Sequence, residues 1–237
     1  MRKHLKISEH FYSLQGEGKT MGIPSVFLRL TACNLLCDGK WLCDTIDVWK
    51  SGNNYSYEET LDLFEEERYT DKLFKGAHLV ITGGEPLIQQ MQIIDFLKAF
   101  YDRHFFLPYI EIETNGTKMP TKELNKLVNL YNVSPKLSNA GMTEKRRINP
   151  PVIKEFNDIE NSIFKFVIED KEDWQELKEK YLNPFQIRKE KLYLMPAADD
   201  EDMLRKNSIY VAKVCIDNNI NYSSRLQVEI WNKTTGV

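Results

Sequence analysis

Residues 25–45 read SVFLRLTACNLLCDGKWLCDT, and this stretch decides the fold. Its opening SVFLRL has the length and apolar character of a buried β-strand. Three cysteines then follow on one short loop with the spacing C-x3-C-x5-C. A strand that ends in a loop of ligand-type residues is typical of parallel α/β proteins, because ligands bind beyond the carboxyl ends of their strands.

The alternation of short apolar runs with amphipathic stretches continues along the chain. We predict strands at residues 25–30, 78–81, 109–113, 131–133, 163–168 and 192–195. We predict helices at residues 57–67, 89–103, 121–130, 150–156, 171–181 and 200–218. Strand–helix alternation implies a parallel sheet, and about six units fall short of the eight in a closed barrel. The sequence therefore predicts an α/β fold, an incomplete parallel β/α barrel, as a single domain over residues 1–237.

Composition and charge exclude several classes of protein. The chain has 237 residues, of which 42% are hydrophobic and 28% charged, as in a folded globular protein. The net charge of −3 lacks the excess of basic residues that nucleic acid or anionic lipid attracts. No apolar stretch approaches the ~20 residues of a membrane span, and the start MRKHLKISEH lacks the apolar centre of a secretion signal. We expect a cytoplasmic protein with neither nucleic acid nor a membrane as partner.

The cysteines give the strongest chemical clue. Cys33, Cys37 and Cys43 lie on one loop, where three thiolates can bind one face of a metal centre and leave a position open for an outside ligand. A structural zinc site is the alternative, but it usually takes four protein ligands from two cysteine pairs, and a second pair is missing from the sequence. Cys215 lies at helical spacing from Val211 and is predicted to be a core residue.

Glycines and polar residues follow the other predicted strands. In TGGEP, residues 82–86, the glycine pair lets the backbone approach a ligand, and Glu85 has the charge to hold an ammonium group. ETNG, residues 113–116, and SPK, residues 134–136, lie at the same edge of the predicted sheet. Each motif alone is typical of a turn or a cap, but together with the cysteine loop they indicate one ligand site.

The segment ahead of the first predicted strand also suits a ligand. In SLQGEG, residues 13–18, two glycines flank Glu17 beside Gln15. Such an arrangement can hold a flat heterocycle through amide and carboxylate hydrogen bonds, and Arg29 can bind a substrate carboxylate. An ordinary glycine turn with a surface arginine is the alternative interpretation.

Taken in order, these motifs resemble the 7-carboxy-7-deazaguanine synthase family of the radical S-adenosylmethionine superfamily. The superfamily's usual cluster loop is C-x3-C-x2-C, and its second strand ends in a GGEP-like motif. The narrower resemblance rests on SLQGEG, FLRLTACNLLC, the CDT of residues 43–45, TGGEPLIQ, ETNG and VSPK. It runs from about residue 11 to residue 136, with weaker echoes in FKFVI, YLMPAAD and RLQVEIW.

The resemblance implies a radical lyase of 7-deazapurine (queuosine) biosynthesis. Cys33, Cys37 and Cys43 would bind a 4Fe-4S cluster whose remaining iron takes S-adenosylmethionine. Cleavage of that cofactor would give a 5′-deoxyadenosyl radical, which takes a hydrogen from 6-carboxy-5,6,7,8-tetrahydropterin. The ring then contracts and loses ammonia to leave 7-carboxy-7-deazaguanine. The resemblance further implies Mg2+, an electron donor such as a flavodoxin, and a homodimer.

The resemblance also implies roles for individual residues, although it gives no side chain a catalytic role because the cofactors carry the radical chemistry. Thr45 would bind Mg2+, since a hydroxyl oxygen suits this hard cation. The cofactor site for S-adenosylmethionine would include Asp44, Gly84, Glu85, Ser134, Pro135 and Lys136. The pterin site would include Leu14, Gln15, Gly16, Glu17, Arg29, Thr82 and Val237.

Two features depart from the family pattern. The second cysteine spacing is five residues rather than two, and we expect residues 38–40 to bulge outward. Met195 stands where the family more often has glutamine, so we assign no role to its side chain, while Pro196 and Ala197 keep backbone contacts.

Two other functions remain open from the sequence. One is another radical S-adenosylmethionine enzyme, such as an activase that makes a glycyl radical in a partner protein; SLQGEG and CDT argue against it. The other is a zinc-binding interaction module, for which the KRR of residues 145–147 would contact a partner. Charge runs in loops are more often simply solvated.

Overall fold

One mixed sheet organises the part of the chain that the computed structural model describes, namely residues 4–40, 43, 45–232 and 234. Its strands are β1 (His4–Leu14), β2 (Pro24–Leu30), β3 (Asn53–Ser56), β4 (His78–Gly83), β5 (Tyr109–Thr114), β6 (Leu130–Val133), β7 (Ser162–Ile168), β8 (Leu192–Pro196) and β9 (Asn221–Tyr222). Their order across the sheet is β3-β1-β2-β4-β5-β6-β7-β8-β9. The sheet is open, with β3 and β9 at its edges.

The central strands run parallel. Strand β2 pairs in parallel with β4, and each later strand pairs in parallel with the next as far as β9. Only β1 breaks this direction among the described strands, since it pairs antiparallel with both β2 and β3. The predicted strands are confirmed as β2 and β4 to β8, and the open parallel sheet confirms the incomplete barrel. The carboxyl ends of these strands therefore meet at one edge.

Helices connect the parallel strands. They are α1 (Ile46–Trp49), α2 (Tyr57–Glu66), α3 (Tyr69–Phe74), α4 (Gln90–His104), α5 (Lys122–Asn125), α6 (Glu144–Arg147), α7 (Pro150–Asp158), α8 (Lys171–Leu177), α9 (Asn183–Phe185), α10 (Glu201–Asn218) and α11 (Leu226–Trp231). Ser56 caps α2 through a capping box, because its side chain accepts from the Glu59 amide while the Glu59 carboxylate accepts from the Ser56 amide. Proline opens α7, as the sequence predicts.

The main hydrophobic core lies between the sheet and these helices. Parallel strands are buried on both faces, so Leu28, Ile81 and Ile112 are fully inaccessible to solvent. Cys215 is 4% exposed and belongs to the same core, which confirms its prediction as a core residue. Within the described residues, no helix is long and apolar enough to cross a membrane.

The sequence analysis misses one strand and predicts one helix too long. The sequence analysis does not predict β1, whose middle is irregular because its register with β2 shifts between Ile7 and Glu9. The helix predicted over residues 121–130 is only the four-residue α5. It ends early because Asn129 joins the sheet: its backbone N–H donates to the Ile110 carbonyl, and its side chain accepts from the Ile110 amide.

Candidate active site

A cavity of about 290 Å3 opens at the edge where the parallel strands end. Its walls come from the ends of β1, β2 and β4 to β8 and from residues near α11. The predicted site residues that line it are Leu14, Gln15, Gly16, Glu17, Arg29, Cys33, Cys37, Cys43, Thr45, Thr82, Gly84, Ser134 and Lys136. Glu85 and Pro135 lie outside this lining, and Asp44 and Val237 lie outside the described residues. One cavity thus joins motifs that are far apart in the sequence.

Hydrogen bonds fix the cysteine loop at one end of the cavity. The amide of Cys43 donates to the carbonyl of Cys37 over 3.2 Å, which brings the two ends of the five-residue spacing together. The amides of Asp38 and Lys40 donate to the carbonyls of Ala140 and Asn139 at 3.1 and 2.8 Å. Residues 38–40 are exposed, so the additional residues bulge outward, as the sequence predicts.

The three thiols of this loop are all free of disulfides. Cys37 is buried, Cys33 and Cys43 are half-buried, and all three pack around Leu35, Ala140 and Met142. Burial, with smaller contributions from Glu85 and the other two cysteines, raises the pKa of the Cys33 thiol to about 11. The Cys33 thiol therefore resists ionisation unless a cation stabilises its thiolate, which is what bound iron does.

The backbone after β4 packs closely against the cysteine loop. Gly84 faces the loop so closely that a Cβ there would lie 2.6 Å from the Cβ of Cys33, so a side chain at this position is excluded. Among the described residues, no three histidine, cysteine or acidic side chains are gathered to hold a single metal ion. Iron–sulfur clusters are held by cysteine thiolates, and three neighbouring thiols outside any disulfide fit such a group.

Glu85 joins the ends of β4 and β5 behind this backbone. It is fully buried, and its carboxylate accepts from the Thr114 hydroxyl at 2.8 Å and from the amides of Asn115 and Leu87 at 2.7 and 3.0 Å. Burial raises the pKa of this carboxyl, although the hydrogen bonds oppose the shift. The carboxylate thus connects the segment after β4 to the end of β5; its predicted contact with an ammonium group stays a prediction.

A buried ion cluster forms the other end of the cavity around Glu17. Its carboxylate contacts the ammonium of Lys165 and accepts from Arg225 Nε at 3.3 Å and from Gln227 Nε2 at 2.7 Å. Burial raises the pKa of Glu17, but Lys165 and Arg225 outweigh it and lower the pKa to about 2. Glu17 is therefore a carboxylate at neutral pH and accepts hydrogen bonds at the cavity wall.

A second acidic group is oriented next to this cluster. The Gln15 amide donates to Glu111 at 2.9 Å and to Glu113 at 3.2 Å, while the Thr82 hydroxyl donates to Glu113 at 3.0 Å. Burial raises the pKa of Glu113, and Lys165 opposes this shift. The cavity end therefore presents amide, hydroxyl and carboxylate groups in fixed orientations, which suits a flat heterocycle with several donors and acceptors.

Arg29 and Lys136 supply positive charge along the cavity wall. Arg29 Nε donates to Glu9 over 2.7 Å, and the guanidinium lies 5.9 Å from the ring centre of Phe11. A guanidinium has five N–H donors, so a pair made through Nε leaves a fork for a carboxylate. Lys136 Nζ donates to the Ser134 hydroxyl at 3.1 Å, which holds both side chains at the end of β6.

Comparison with known proteins assigns this chain to a family. Residues 14–143 match a family model described as a 4Fe-4S single cluster domain. A 7-carboxy-7-deazaguanine synthase from Pyrobaculum aerophilum is 30% identical over 98% of this chain and 97% of its own length. Another, from Halobacterium salinarum, is 30% identical over 96% of this chain and 91% of its own. The chain belongs to the 7-carboxy-7-deazaguanine synthase family.

A solved structure agrees with this family at the level of the fold. The crystal structure of QueE from Escherichia coli has a TM-score of 0.65 to this chain, with 23% sequence identity, and the match covers 93% of each chain. This structure confirms the incomplete barrel that the sequence predicts, and the family model and the relatives above confirm the family resemblance.

The sequence analysis did not single out three members of the Glu17 cluster. Lys165 was a signal in itself, because a lone cation inside the apolar run IFKFVI is almost never buried unless it is paired. Arg225 and Gln227 lie in the RLQVEIW segment near the end of the chain, which was noted only as a weak echo of the 7-carboxy-7-deazaguanine synthase family. The glycine at position 16 permits the close approach of Gln227, since a Cβ there would overlap the Gln227 side chain.

Proposed function

We propose that this chain converts 6-carboxy-5,6,7,8-tetrahydropterin to 7-carboxy-7-deazaguanine with loss of ammonia, a step of 7-deazapurine (queuosine) biosynthesis. The observation that carries the proposal is a single cavity with two chemically distinct ends in a member of the 7-carboxy-7-deazaguanine synthase family. One end has three thiols outside any disulfide, and the other has the oriented polar groups around Glu17. The first suits a cluster and the second suits a pterin.

The cofactors are a 4Fe-4S cluster and S-adenosylmethionine. Cys33, Cys37 and Cys43 would hold the cluster, which supplies the electron that cleaves the sulfonium of S-adenosylmethionine when both are bound. The S-adenosylmethionine site would combine the open backbone at Gly84 with residues after β6 and β8. Its proposed members are Asp44, Gly84, Glu85, Ser134, Pro135 and Lys136, together with the backbone at Ala197.

The pterin would lie at the Glu17 end of the cavity. Ionised Glu17 would accept hydrogen bonds from the amino and ring N–H groups of the heterocycle, while the Arg29 fork would bind its carboxylate. The remaining members of the proposed pterin site are Leu14, Gln15, Gly16, Thr82 and Val237. Burial of the ion cluster would keep these groups in place and exclude water around the reacting ring.

The organisation of the chain supports treating it as one radical S-adenosylmethionine domain. Every described strand belongs to the same sheet, and one main core packs against it. An external one-electron donor, such as a flavodoxin, would supply the reducing equivalent, and the enzyme would act as a homodimer.

The proposal is tested with anaerobically purified protein. We expect about four irons and four sulfides per chain and conversion of the carboxytetrahydropterin when S-adenosylmethionine, reductant and Mg2+ are present. A bound cluster without product would support the proposed cofactors but contradict the proposed substrate, as expected for a glycyl-radical activase. Zinc without iron would contradict the radical chemistry as a whole.

Arg29→Ala is expected to raise the KM for the carboxytetrahydropterin by roughly 10- to 100-fold, because a charge-assisted hydrogen bond contributes about 1.5–3 kcal/mol. Iron content should not change, since Arg29 pairs with Glu9 rather than with the cysteine loop. Steady-state kinetics measure the effect, and Glu9→Gln is the matched control that removes only the paired charge. An unchanged KM in Arg29→Ala would contradict the carboxylate contact.

Thr45→Ala is expected to raise the Mg2+ concentration for half-maximal activity by roughly tenfold, as loss of a metal-site group commonly does. Thr45 lines the cavity, and its hydroxyl lies 3.6 Å from the Cys43 thiol, so the proposed Mg2+ would bind between cluster and pterin. The measurement is a Mg2+ titration of activity with iron content recorded in parallel. The same Mg2+ dependence in variant and parent would contradict the proposal that Thr45 binds Mg2+.

A further inference from the structure

The three residues that widen the second cysteine spacing, 38–40, pair with the backbone of residues 139–140. Glycines in both segments permit this close approach. A Cβ on Gly39 would overlap the facing backbone, and a Cβ on Gly141 would lie 2.6 Å from the Asp38 carbonyl oxygen. Gly141 also has a φ of +83°, a conformation that residues with side chains disfavour. The two segments are therefore fitted to each other along the backbone.

An ion pair joins the same bulge to a third element. Lys40 Nζ donates to Asp170 over 2.8 Å. Asp170 caps the start of α8, where its side chain accepts from the Asp173 amide at 2.9 Å. We call residues 38–40, their partners 139–141 and Asp170 the loop clasp. The loop clasp thus connects the cysteine loop to the segment after β6 and to α8.

The segment after β6 is held from its other side by a buried ion pair. Glu176 accepts from the Ser138 amide at 3.0 Å, and Arg147 pairs with Glu176 over 2.5 Å. Arg147 is 3% exposed and donates to the Lys136 carbonyl at 3.1 Å, to which the Tyr181 hydroxyl also donates at 2.7 Å. Within the KRR run, Arg147 therefore has a structural role and is not available to a partner protein.

This doubly held segment carries part of the proposed cofactor site. Residues 134–136 belong to the proposed S-adenosylmethionine site, and only two residues separate Lys136 from Asn139. The bulge on the other side begins directly after Cys37, and the hydrogen bond from the Cys43 amide to the Cys37 carbonyl closes its base. The loop clasp is therefore a backbone link between the proposed cluster ligands and the proposed cofactor segment.

We propose that the loop clasp positions the cysteine loop against residues 134–136, so that S-adenosylmethionine binds the cluster and this segment together. The inference rests on the proposed function, because it requires a cluster with an open iron and a cofactor that contacts both elements. Such a ligand binds tightly only when the separation of the two elements is fixed in advance, since otherwise binding must order them. Gly39, Lys40 and Gly141 do not line the cavity, so they act as positioning residues.

Gly141→Ala tests the backbone part of the loop clasp, and Gly76→Ala is its matched control. Both glycines have a positive φ, +83° and +102°, but nothing lies within 4 Å of a Cβ on Gly76. Gly141→Ala should separate residues 38–40 from their partners, so that the amides of the bulge exchange hydrogen faster in mass spectrometry. It should also raise the Kd for S-adenosylmethionine by roughly tenfold, whereas Gly76→Ala stays close to the parent.

The Kd is measured on folded protein with its full iron content. The electron paramagnetic resonance spectrum of the reduced cluster is titrated with S-adenosylmethionine, because a ligand on the open iron changes this spectrum. The measurement needs neither the pterin nor turnover, so it is independent of the proposed substrate.

Lys40→Met tests the ion pair without straining the backbone. It is expected to raise the same Kd by up to about fivefold, because an exposed ion pair contributes little. Lys40→Arg keeps the charge and should restore the Kd of the parent. Lys98→Met is the control, since Lys98 is 53% exposed against 52% for Lys40 and pairs with Glu123 over 2.5 Å away from the cavity.

Two results would overturn the positioning role. One is faster exchange at residues 38–40 with an unchanged Kd, and the other is the same Kd in Gly141→Ala and Gly76→Ala. An equal Kd in Lys40→Met and Lys98→Met would contradict the contribution of the ion pair. Failure of the parent to convert the carboxytetrahydropterin, with the expected order of Kd values, would instead contradict only the proposed substrate.

Discussion

Replacement of Cys33, Cys37 or Cys43 by alanine is expected to remove the iron–sulfur cluster, whereas Cys215→Ala keeps it. The first three thiols line one cavity and pack around the same small apolar group, so each alanine removes one of three ligands. Cys215 lies in the main core, and its thiol donates to the Asn221 carbonyl at 3.6 Å. It is therefore a packing residue and is not among the residues that line the cavity.

Iron and sulfide analysis of anaerobically purified protein measures this effect. The parent and Cys215→Ala should each contain about four irons per chain, while the loop variants should fall below about one. Far-ultraviolet circular dichroism separates loss of cluster from loss of fold. Loss of iron in folded Cys215→Ala would contradict its assignment to the core, and retention of iron in a loop variant would contradict the proposed ligand set.

The sequence was sufficient for the parallel part of the fold because each central strand is a continuous apolar run. Strand β7, for example, is SIFKFVI, and it is buried almost throughout. Strand β1 was missed because it lies near the sheet edge, is only partly buried and carries polar residues along its length. Helix α5 was predicted too long because helical spacing cannot report that Asn129 pairs with β5.

The candidate site was predictable where its residues lie next to strand ends. The cysteine loop, Thr82 and Lys136 follow parallel strands, so one rule about carboxyl ends brings them to one cavity. Lys165 and Arg225 could not be placed in this way, because their contact with Glu17 joins residues more than 140 positions apart. Only the folded chain brings β7 and the segment before α11 to the same carboxylate.

Lys165→Met is expected to destabilise the protein by about 3–5 kcal/mol, because it leaves a buried carboxylate without its main partner. Lys165 is 4% exposed, and methionine keeps most of its length while removing its charge. Arg225 and Gln227 would still contact Glu17, so part of the buried ion cluster would remain. The binding of carboxytetrahydropterin should weaken strongly, because Glu17 would no longer be held as an oriented carboxylate. The iron–sulfur cluster should stay bound, since the partners given for Glu17 are Lys165, Arg225 and Gln227 and include no described residue of the cysteine loop.

The pH dependence of this loss follows from the pKa of Glu17. Its pKa is lowered from 4.5 to about 2 in the folded parent. A carboxyl with a lowered pKa contributes stability that is complete above its ordinary value and is lost as the pH falls through its folded value. Lys165→Met raises this pKa, so the difference in unfolding free energy between parent and variant should be largest at neutral pH and shrink between about pH 4.5 and pH 2.

Chemical unfolding of the parent, Lys165→Met, Glu17→Gln and the double variant measures the coupling between the two charges. The double variant is expected to be more stable than Lys165→Met alone, because it no longer buries an unpaired carboxylate. Lys165→Arg keeps the charge and should restore much of the stability and of the pterin affinity. A merely space-filling Lys165 would give equal losses in the single and double variants and no change in the pH profile. That result would contradict a role of the Glu17–Lys165 ion pair in pterin binding. Arg225 and Gln227 would then be the residues that orient Glu17.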